Sequence, residues 1–249
     1  MDLGLDGKVA WVLGGSSGLG RASAEGLAKE GALVAISARQ EDRLDRVASE
    51  IDATDGGRCI PIPLDVTDRH AIKTAAAHIS SELGPVDILV ANAGGPPPGT
   101  FDDFDDDALH SAFELTTASA WRLTDAVIPA MKEQRSGVVL FITSASTKEP
   151  IAGLLLSNTM RPAVVGMAKT LSKELGGSGI RVLCVAPGRI ETPRTAASGH
   201  QSFENIPLGR LGQPREFGDV VTFLASGRAS YVTGVSVLVD GGASSGLLA

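Results

Sequence analysis

The fold class is decided by the stretch VAWVLGGSSGLG at residues 9–20. Five consecutive apolar residues predict a buried strand, and the glycine-rich segment after them runs directly into a sequence with helical spacing. In this setting Gly14 would permit a tight turn, Gly18 would let the backbone approach a pyrophosphate, and Gly20 would allow close packing of helix on strand. The helix N-terminus suits phosphates, so we predict a dinucleotide site here. The other residues expected to contribute to it are Ser16, Ser17 and Leu19.

Apolar runs and helical stretches alternate along the rest of the chain. Runs typical of strands lie at residues 9–13, 33–37, 60–63, 88–91, 138–142, 182–185 and 235–239. Helical spacing separates them at residues 18–30, 42–51, 68–83, 107–132, 164–175 and 215–224. Short apolar strands joined by helices predict parallel βαβ units with both sheet faces covered. We therefore expect one domain over residues 1–249, an α/β, Rossmann-type, doubly wound parallel sheet of about seven strands.

The composition argues against several classes of partner. The apolar fraction of 43% is ample for the core of one domain of 249 residues. A net charge of −7 disfavours a nucleic-acid or anionic-membrane surface. No apolar run could span a bilayer and no signal peptide is recognisable, so we expect a cytoplasmic protein. Cys59 and Cys184 lie in apolar runs and are predicted to be reduced core residues, without metal-ligand spacing.

The end of the second predicted strand indicates which dinucleotide is bound. An NAD site usually has an acidic residue about 20 residues past the glycines, where it binds the ribose hydroxyls. This chain has Arg39 instead, and a guanidinium pairs well with the 2′-phosphate of NADP. We therefore expect NADP(H) to be favoured over NAD(H). The alternative is that Arg39 is an ordinary surface arginine.

Two segments interrupt the alternation of strands and helices. The first is GGPPPG at residues 94–99, followed by an acidic patch at residues 102–107. This patch is predicted to be the solvated first turn of a helix, where carboxylates suit the positive end of the dipole. The second segment, residues 191–212, has no clear period. Because loops after strands often carry function, we expect residues 191–212 to form the substrate loop.

The motifs resemble, in order and along almost the whole chain, those of the short-chain dehydrogenase/reductase family. The glycine segment is similar to the family's TGxxxGxG motif, with Leu13 in place of Thr. Asp65-Val66 corresponds to the pair that contacts adenine in the family, and Asn92-Ala93-Gly94 to its NAG motif. The run from Pro187 and Gly188 through Ile190 to Thr192 corresponds to its PGxxxT motif. Residues 207–242 resemble the C-terminus of 3-oxoacyl-acyl-carrier-protein reductases. The resemblance implies that these motif residues bind the cofactor, that the substrate is a small molecule, and that the protein is a homo-oligomer, a tetramer or a dimer.

The resemblance also implies four catalytic positions, three of which depart from the family pattern. The family uses Ser to hold the carbonyl oxygen, Tyr as the general acid, Lys to tune it and Asn for a water relay. The corresponding residues here are Ser144, Ser157, Arg161 and Thr116. An alkyl hydroxyl at Ser157 is a far poorer acid than a phenol, whose pKa is about 10. Arg161 keeps the positive charge of the lysine, but because it stays protonated it cannot shuttle protons.

Pro162 adds a structural difficulty to this arrangement. Proline lacks a backbone donor and disfavours the helical conformation of the residue before it, which favours a helix that begins at Pro162. In that case Ser157 and Arg161 would lie in a loop and would not share a helical face. The candidates for a replacement acid are Tyr231, His200, Lys148 and Glu149. Position favours a packing role for Tyr231 and a solvated surface position for His200.

Three functions are left open by the sequence, and the weakest of them is a blocked pocket in a fold that serves only assembly. The first is an NADP(H)-dependent oxidoreductase acting on a carbonyl or alcohol, with Ser144 and an unconventional proton donor such as water. The second is a nucleotide-binding sensor or partner subunit without redox activity, motivated by the changes at Ser157, Arg161 and Thr116. The complete set of nucleotide motifs favours the oxidoreductase.

Overall fold

The computed structural model describes residues 1–53, 58–197 and 202–246, which contain a seven-stranded parallel sheet. Its strands are β1 (Val9–Leu13), β2 (Leu33–Ala38), β3 (Cys59–Pro63), β4 (Ile88–Ala91), β5 (Gly137–Ile142), β6 (Ile180–Pro187) and β7 (Ser236–Val239). Their order is β3-β2-β1-β4-β5-β6-β7, so the direction of winding reverses between β1 and β4. This confirms the predicted doubly wound fold and places a cleft at the carboxyl ends of these strands.

Helices cover both faces of the sheet. They are α1 (Gly18–Lys29), α2 (Glu41–Asp52), α3 (Arg69–Glu82), α4 (Asp106–Phe113), α5 (Ser119–Gln134), α6 (Leu155–Leu175), α7 (Pro193–Ala197) and α8 (Pro214–Ala225). Alternate residues of β1 point to opposite faces, as the pleat of a strand requires. Ala10 and Val12 belong to a core cluster with α1, α2 and α8, whereas Trp11 and Leu13 belong to one with α3, α5 and α6. Burial on both faces explains why β1 is apolar throughout.

The segment predicted as one helix over residues 107–132 is divided in two by a π turn. The turn spans Glu114–Ala118 and separates α4 from α5. At its end the hydroxyl of Ser119, the first residue of α5, donates to the carbonyl of Leu115, and such back-bonding often bends helices. The hydroxyl of Thr116 is buried in the same turn. Since π turns inside helices are frequent at functional sites, this position supports Thr116 as a candidate site residue.

Helix α6 begins earlier than either start that the sequence favoured. It starts at Leu155 and continues through Pro162, whose ring is exposed. Leu156 and Met160 are buried in a small cluster with α4, and this tertiary packing outweighs the local preference of proline. The side chain of Asn158 holds the first turn by accepting from the N–H of Ile151 and donating to its carbonyl. The prediction of a helix starting at Pro162 is therefore wrong.

The acidic patch caps the start of α4, as predicted. The carboxylate of Asp105 accepts a hydrogen bond of 2.8 Å from the N–H of Ala108. The carboxylate of Asp103 accepts from the N–H and the hydroxyl of Thr100, and these bonds lower the pKa of Asp103. Asp106 and Asp107 lie in the first turn of the helix. Carboxylates at this end complement the helix dipole, so the patch needs no further partner.

The two cysteines are buried in the core, as predicted. Burial raises the pKa of each thiol to about 12, which keeps Cys59 and Cys184 protonated. In the part of the chain that the structure describes, no helix combines the length and apolar character needed to cross a membrane. The same residues bring together no group of three or more metal-binding side chains.

Candidate active site

The glycine segment forms a tight loop between β1 and α1. Gly14 and Gly18 have φ angles of 65° and 54°, a region that favours glycine. A Cβ at Gly14 would lie 2.6 Å from the Nδ2 of Asn92, and one at Gly20 would overlap the carbonyl of Gly14. Ser17 occupies the N-cap of α1 without a side-chain capping bond. The first N–H groups of the helix therefore remain available to an anionic ligand in the cleft.

Gly15 is a further requirement of this loop that the sequence interpretation missed. A Cβ on Gly15 would lie 2.6 Å from the Cβ of Ile36, because the loop crosses directly over β2. The N–H of Gly15 donates to the carbonyl of Ser37 at 3.2 Å. Ser16 is buried and Leu19 packs against the core, so both shape the loop from below. The only sequence signal for this role was the pair of adjacent glycines.

Strands β2, β3 and β4 place other predicted cofactor residues around the same cleft. Asp65 and Val66 follow β3, and the carboxylate of Asp65 accepts from the N–H and hydroxyl of Thr67 at 2.9 and 2.8 Å. These bonds, and to a lesser extent the charge of Arg39, lower the pKa of Asp65. Arg39 is exposed after β2, and no hydrogen bond or ion pair involves its side chain within the described ranges. The residues that follow β4 are Asn92, Ala93 and Gly94.

The segment after β6 closes the cleft from the opposite side. Pro187 ends β6, and the N–H of Gly188 bonds to the last residue of β7. Ile190 is buried and anchors the segment to the core. A Cβ on Gly18 would lie 3.4 Å from the Cγ2 of Thr192. The loops after β1 and β6 thus face each other across the cleft, and glycine at position 18 keeps the space between them open.

Ser144 lies two residues after the end of β5 and begins a short turn. Its Oγ accepts a hydrogen bond of 3.1 Å from the N–H of Ser146, so the hydroxyl proton stays available for another acceptor. The Oγ of Ser157, on α6, lies 3.4 Å from the Oγ of Ser146, and both of these side chains are buried. The structure therefore places Ser157 against the turn that carries Ser144 rather than against Ser144 itself.

Arg161 lies one helical turn after Ser157, on the same face of α6. Its Nη1 donates a hydrogen bond of 2.9 Å to the carbonyl of Ile142, at the end of β5. Burial, with a smaller contribution from the charge of Arg194, lowers the pKa of Arg161 to about 10, and the guanidinium remains charged at neutral pH. Because α6 runs through Pro162, Ser157 and Arg161 do not lie in a loop, and the expectation that their shared face would be lost is corrected.

Thr116 and Arg161 line the same small cavity beneath the cleft. Its volume is about 10 Å³, close to the space that one water needs, and its other walls are mostly apolar side chains of β4, β5, α5 and α6. The Oγ1 of Thr116 is buried and has no hydrogen-bond partner among the described residues. A single water in this cavity would satisfy that hydroxyl.

Known proteins similar to this chain identify its family. A family model described as enoyl-(acyl carrier protein) reductase matches residues 14–244. The 3-oxoacyl-acyl-carrier-protein reductase of Thermotoga maritima is 35% identical over 242 residues, which cover 96% of this chain and 98% of that protein. The chain belongs to the short-chain dehydrogenase/reductase family. The 3-oxoacyl-acyl-carrier-protein reductase of Salmonella typhimurium is similarly related, at 36% identity over 244 residues and with the same coverage of both chains.

Solved structures of other reductases share this short-chain dehydrogenase/reductase fold over their full length. L-sorbose reductase from Gluconobacter frateurii, solved with NADPH and L-sorbose, has a TM-score of 0.94 and 33% identity, covering 99% of this chain and 100% of that one. YwfH, an NADPH-dependent reductase involved in bacilysin biosynthesis, has a TM-score of 0.92 and 28% identity, covering 96% and 99%. Both of these similar proteins are NADPH-dependent or were solved with NADPH.

The candidates for a replacement acid in this family member are not gathered in the cleft. Tyr231 is fully exposed, and Thr233 nearby bonds to Val182 in the amino-terminal half of β6, away from the cleft. Tyr231 therefore does not pack into the core of this chain. Lys148 is half-buried in the turn after β5, and the carboxylate of Glu149 accepts a hydrogen bond from the N–H of Ser245. His200 lies outside the described residues.

Arg194 is a cleft residue that the sequence interpretation missed. It lies on α7, within the segment for which no period was found, and its Nη2 donates to the carbonyl of Pro96 at 3.3 Å. Its guanidinium lies over Gly95, where a Cβ would come within 2.7 Å of the Cζ of Arg194. The proline-rich loop is also fastened to the segment before α6, since the N–H of Gly99 donates to the carbonyl of Gly153 at 2.7 Å. A helix of five residues is too short to reveal itself by periodicity.

Proposed function

We propose that this protein is an NADPH-dependent oxidoreductase that reduces a carbonyl compound to an alcohol or catalyses the reverse oxidation. The observation that carries the proposal is the position of Ser144, which begins the turn after β5 with its hydroxyl proton uncommitted. The carboxyl ends of β1 and β6, with the glycine loop and Thr192, border the same cleft. Membership of the family and the likeness to reductases that use NADPH support this function.

The residues around the cleft fit NADPH. The open N–H groups of the first turn of α1 suit the pyrophosphate, Gly14 permits the close approach of Asn92, and Gly18 leaves space that a side chain would fill. Arg39 would bind the 2′-phosphate, and Asp65 with Val66 would border the adenine. Pro187, Gly188, Ile190 and Thr192 would hold the nicotinamide end together with Asn92, Ala93 and Gly94. The preference for NADP(H) over NAD(H) rests on Arg39, whose guanidinium has no partner in the described ranges.

The side chains near Ser144 account for polarisation of the carbonyl group. Bound NADPH would supply the hydride that is added to the carbonyl carbon, and it would be oxidised to NADP⁺. The hydroxyl of Ser144 donates a hydrogen bond to the carbonyl oxygen, and the charge of Arg161 stabilises the negative charge that develops there. One proton from water completes the alcohol, because Arg161 stays protonated and the hydroxyl of Ser157 faces Ser146.

Ser157 and Thr116 have supporting roles in this proposal. Ser157 is a positioning residue, since it contacts the hydroxyl of Ser146, whose N–H in turn fixes the Oγ of Ser144. Thr116 holds a water beside Arg161 in the small cavity. Compared with the tyrosine, lysine and asparagine implied by the family resemblance, these residues make an atypical active site.

The proposed function is tested by carbonyl-dependent oxidation of NADPH. The purified full-length protein is incubated with NADPH and a panel of ketones, aldehydes and keto acids, and the loss of NADPH is followed by its absorbance. We expect sustained oxidation with at least one compound of the panel. Tight binding of NADPH without oxidation by any of them would contradict the proposal.

A second candidate function is a nucleotide-binding protein without redox activity, such as a sensor or partner subunit. It is favoured by one observation: the hydroxyl of Ser157, at the position of the family's acid, is turned toward Ser146. This candidate predicts the same binding of NADPH as the oxidoreductase and no turnover. The carbonyl panel therefore separates the two functions.

Replacing Arg39 by glutamine is expected to weaken NADPH binding by about 10- to 100-fold and to leave NADH binding unchanged. Hydrogen bonds to charged groups contribute about 1.5–3 kcal/mol, and only NADPH carries the 2′-phosphate. Calorimetric titration of wild type and variant with both nucleotides measures the effect. Arg46→Gln removes the same charge from the exposed side of α2 and serves as the control. Equal weakening of both nucleotides would mean that Arg39 does not read the 2′-phosphate.

We also propose that the protein is a cytoplasmic homo-oligomer, a dimer or a tetramer. Its free buried thiols suit a reducing compartment. Large apolar side chains are exposed near the π turn, at Leu109, Phe113 and Trp121, and a second exposed set contains Phe223 and Tyr231. Such side chains are common in interfaces between subunits. The net charge of −7 disfavours nucleic acid as a partner.

A further inference from the structure

Two guanidinium groups approach the same side of the candidate active site from different elements. Arg161 reaches from α6 to the carbonyl of Ile142, at the end of β5. Arg194 reaches from α7 to the carbonyl of Pro96, in the loop after β4. They are near enough for the charge of Arg194 to lower the pKa of Arg161. Two positive charges therefore lie at the carboxyl ends of neighbouring strands, where ligands bind in this fold.

Neither guanidinium has an acidic partner within residues 1–53, 58–197 and 202–246. The hydrogen bonds given above both go to neutral backbone carbonyls. Some arginines of the chain pair with carboxylates, for example Arg122 with Glu114 at 2.6 Å. Others, such as Arg181, also bond to backbone carbonyls, but Arg161 and Arg194 do so next to each other at the cleft. Holding a partly buried cation beside another cation is unfavourable unless an anion compensates the charge. Of the two, Arg161 is the more buried cation and Arg194 is exposed, so their uncompensated positive charge is accessible to an anionic ligand in the cleft.

The guanidinium of Arg194 lies against the backbone of the loop that follows β4. A Cβ on Gly95 would lie within 2.7 Å of the Cζ of Arg194, so a side chain at position 95 would displace the guanidinium from its present place against the backbone. Prolines follow directly at positions 96–98 and restrict the loop, and Pro96 is buried. Arg194 is thereby directed toward the proline-rich loop, beyond the 92–94 segment. The glycine loop after β1, which suits the phosphates of the cofactor, is a different element.

We propose that the substrate carries a carboxylate group in addition to its carbonyl, and that Arg194 binds this carboxylate with support from the charge of Arg161. The proposal deepens the oxidoreductase function and rests on it. A guanidinium presents two parallel donors that match a carboxylate, which fixes the orientation of the substrate as well as its affinity. With Arg194 on the carboxylate and Ser144 on the carbonyl oxygen, the two ends of a short keto acid would be held by different elements.

The test compares keto acids with their methyl esters as substrates. Initial rates with NADPH are measured for pyruvate, acetoacetate and levulinate and for the three esters, with wild type and with Arg194→Gln. We expect wild type to prefer the best acid over its ester by about 10- to 100-fold in kcat/KM, the range for a hydrogen-bonded charge pair. The variant should lose this preference through a higher KM for the acid, with rates for the ester unchanged. Arg215→Gln removes one exposed positive charge from α8 and should behave as wild type.

Two further measurements distinguish failure of this inference from failure of the proposed function. Calorimetry with NADPH alone should give the same affinity for wild type and Arg194→Gln, and a loss in the variant would assign the guanidinium to the cofactor and overturn the inference.

If no carbonyl compound is reduced, the oxidoreductase function fails. The anion site is then judged by melting of the NADP⁺-bound protein with and without succinate. Stabilisation by succinate in wild type and not in Arg194→Gln would support the site, and its absence in wild type would overturn it. Reduction of the esters as fast as the acids would overturn the carboxylate site and would leave the oxidoreductase function intact.

Discussion

Replacing Ser144 by alanine is expected to lower kcat by about 10²–10³-fold, with a much smaller change in the affinity for NADPH. The hydroxyl accepts one hydrogen bond from the N–H of Ser146, and its own proton is the donor proposed to meet the carbonyl oxygen. Removing one donor of this kind from an active site costs about 2.7–4 kcal/mol of transition-state stabilisation. Steady-state rates and calorimetric titration with NADPH measure the two quantities separately.

Two further serine variants make the Ser144 result specific. Ser49→Ala removes a hydroxyl that donates to the carbonyl of Asp45 on the exposed face of α2, and it should leave kcat unchanged. Ser157→Ala should lower kcat by less than about tenfold, since a positioning residue acts only through one neutral hydrogen bond of about 1 kcal/mol. A larger loss in Ser157→Ala than in Ser144→Ala would instead make Ser157 the catalytic hydroxyl.

Replacing Gly20 by alanine is expected to weaken NADPH binding by about 100-fold and to lower the melting temperature. A Cβ at Gly20 would overlap the carbonyl of Gly14 and would lie 2.8 Å from the carbonyl oxygen of Leu13. These are backbone atoms, so helix α1 has to move away from β1 and its first turn leaves the phosphate site. Overpacking of this kind costs about 1–3 kcal/mol, and about 1.4 kcal/mol corresponds to a factor of ten in affinity.

Gly176 provides the matched control for Gly20. It follows α6 with helical φ and ψ angles of −55° and −40°, and an added Cβ would meet nothing within 4 Å. Gly176→Ala should therefore leave the affinity for NADPH unchanged and should not lower the melting temperature. Unchanged NADPH binding in Gly20→Ala would show that α1 can shift without loss of the phosphate site. The structural argument for a phosphate site at the first turn of α1 would then fail.

Much of the fold was predictable because its signals are local. Strand β1 is buried on both faces and is apolar at every position, and Gly20 after it is required by contacts with Leu13 and Gly14, within a short stretch of chain. The remaining parallel strands are also mainly apolar, and they differ from their predicted bounds by a few residues at most. Alternation of such strands with helices leaves few topologies open, since the crossovers have one hand.

The parts of the site that were not predictable depend on contacts between distant segments. The start of α6 is decided by packing of Leu156 and Met160 on α4, which overrides the local effect of Pro162. The π turn around Thr116 is likewise invisible in a sequence whose helical spacing continues through it. Arg194 meets Pro96 across 98 positions of the chain, and no local pattern indicates that contact.

The most direct test of the oxidoreductase function is transfer of deuterium from NADPH labelled at C4 of the nicotinamide. Samples labelled on either face of the ring are incubated with the full-length protein and the keto-acid and ketone panel, and the products are examined by mass spectrometry. We predict an alcohol that carries one deuterium on the former carbonyl carbon with one of the two labels, at a rate that falls in Ser144→Ala. NADPH that binds tightly while neither label reaches any product would contradict the proposed reaction and would favour the nucleotide-binding protein without redox activity.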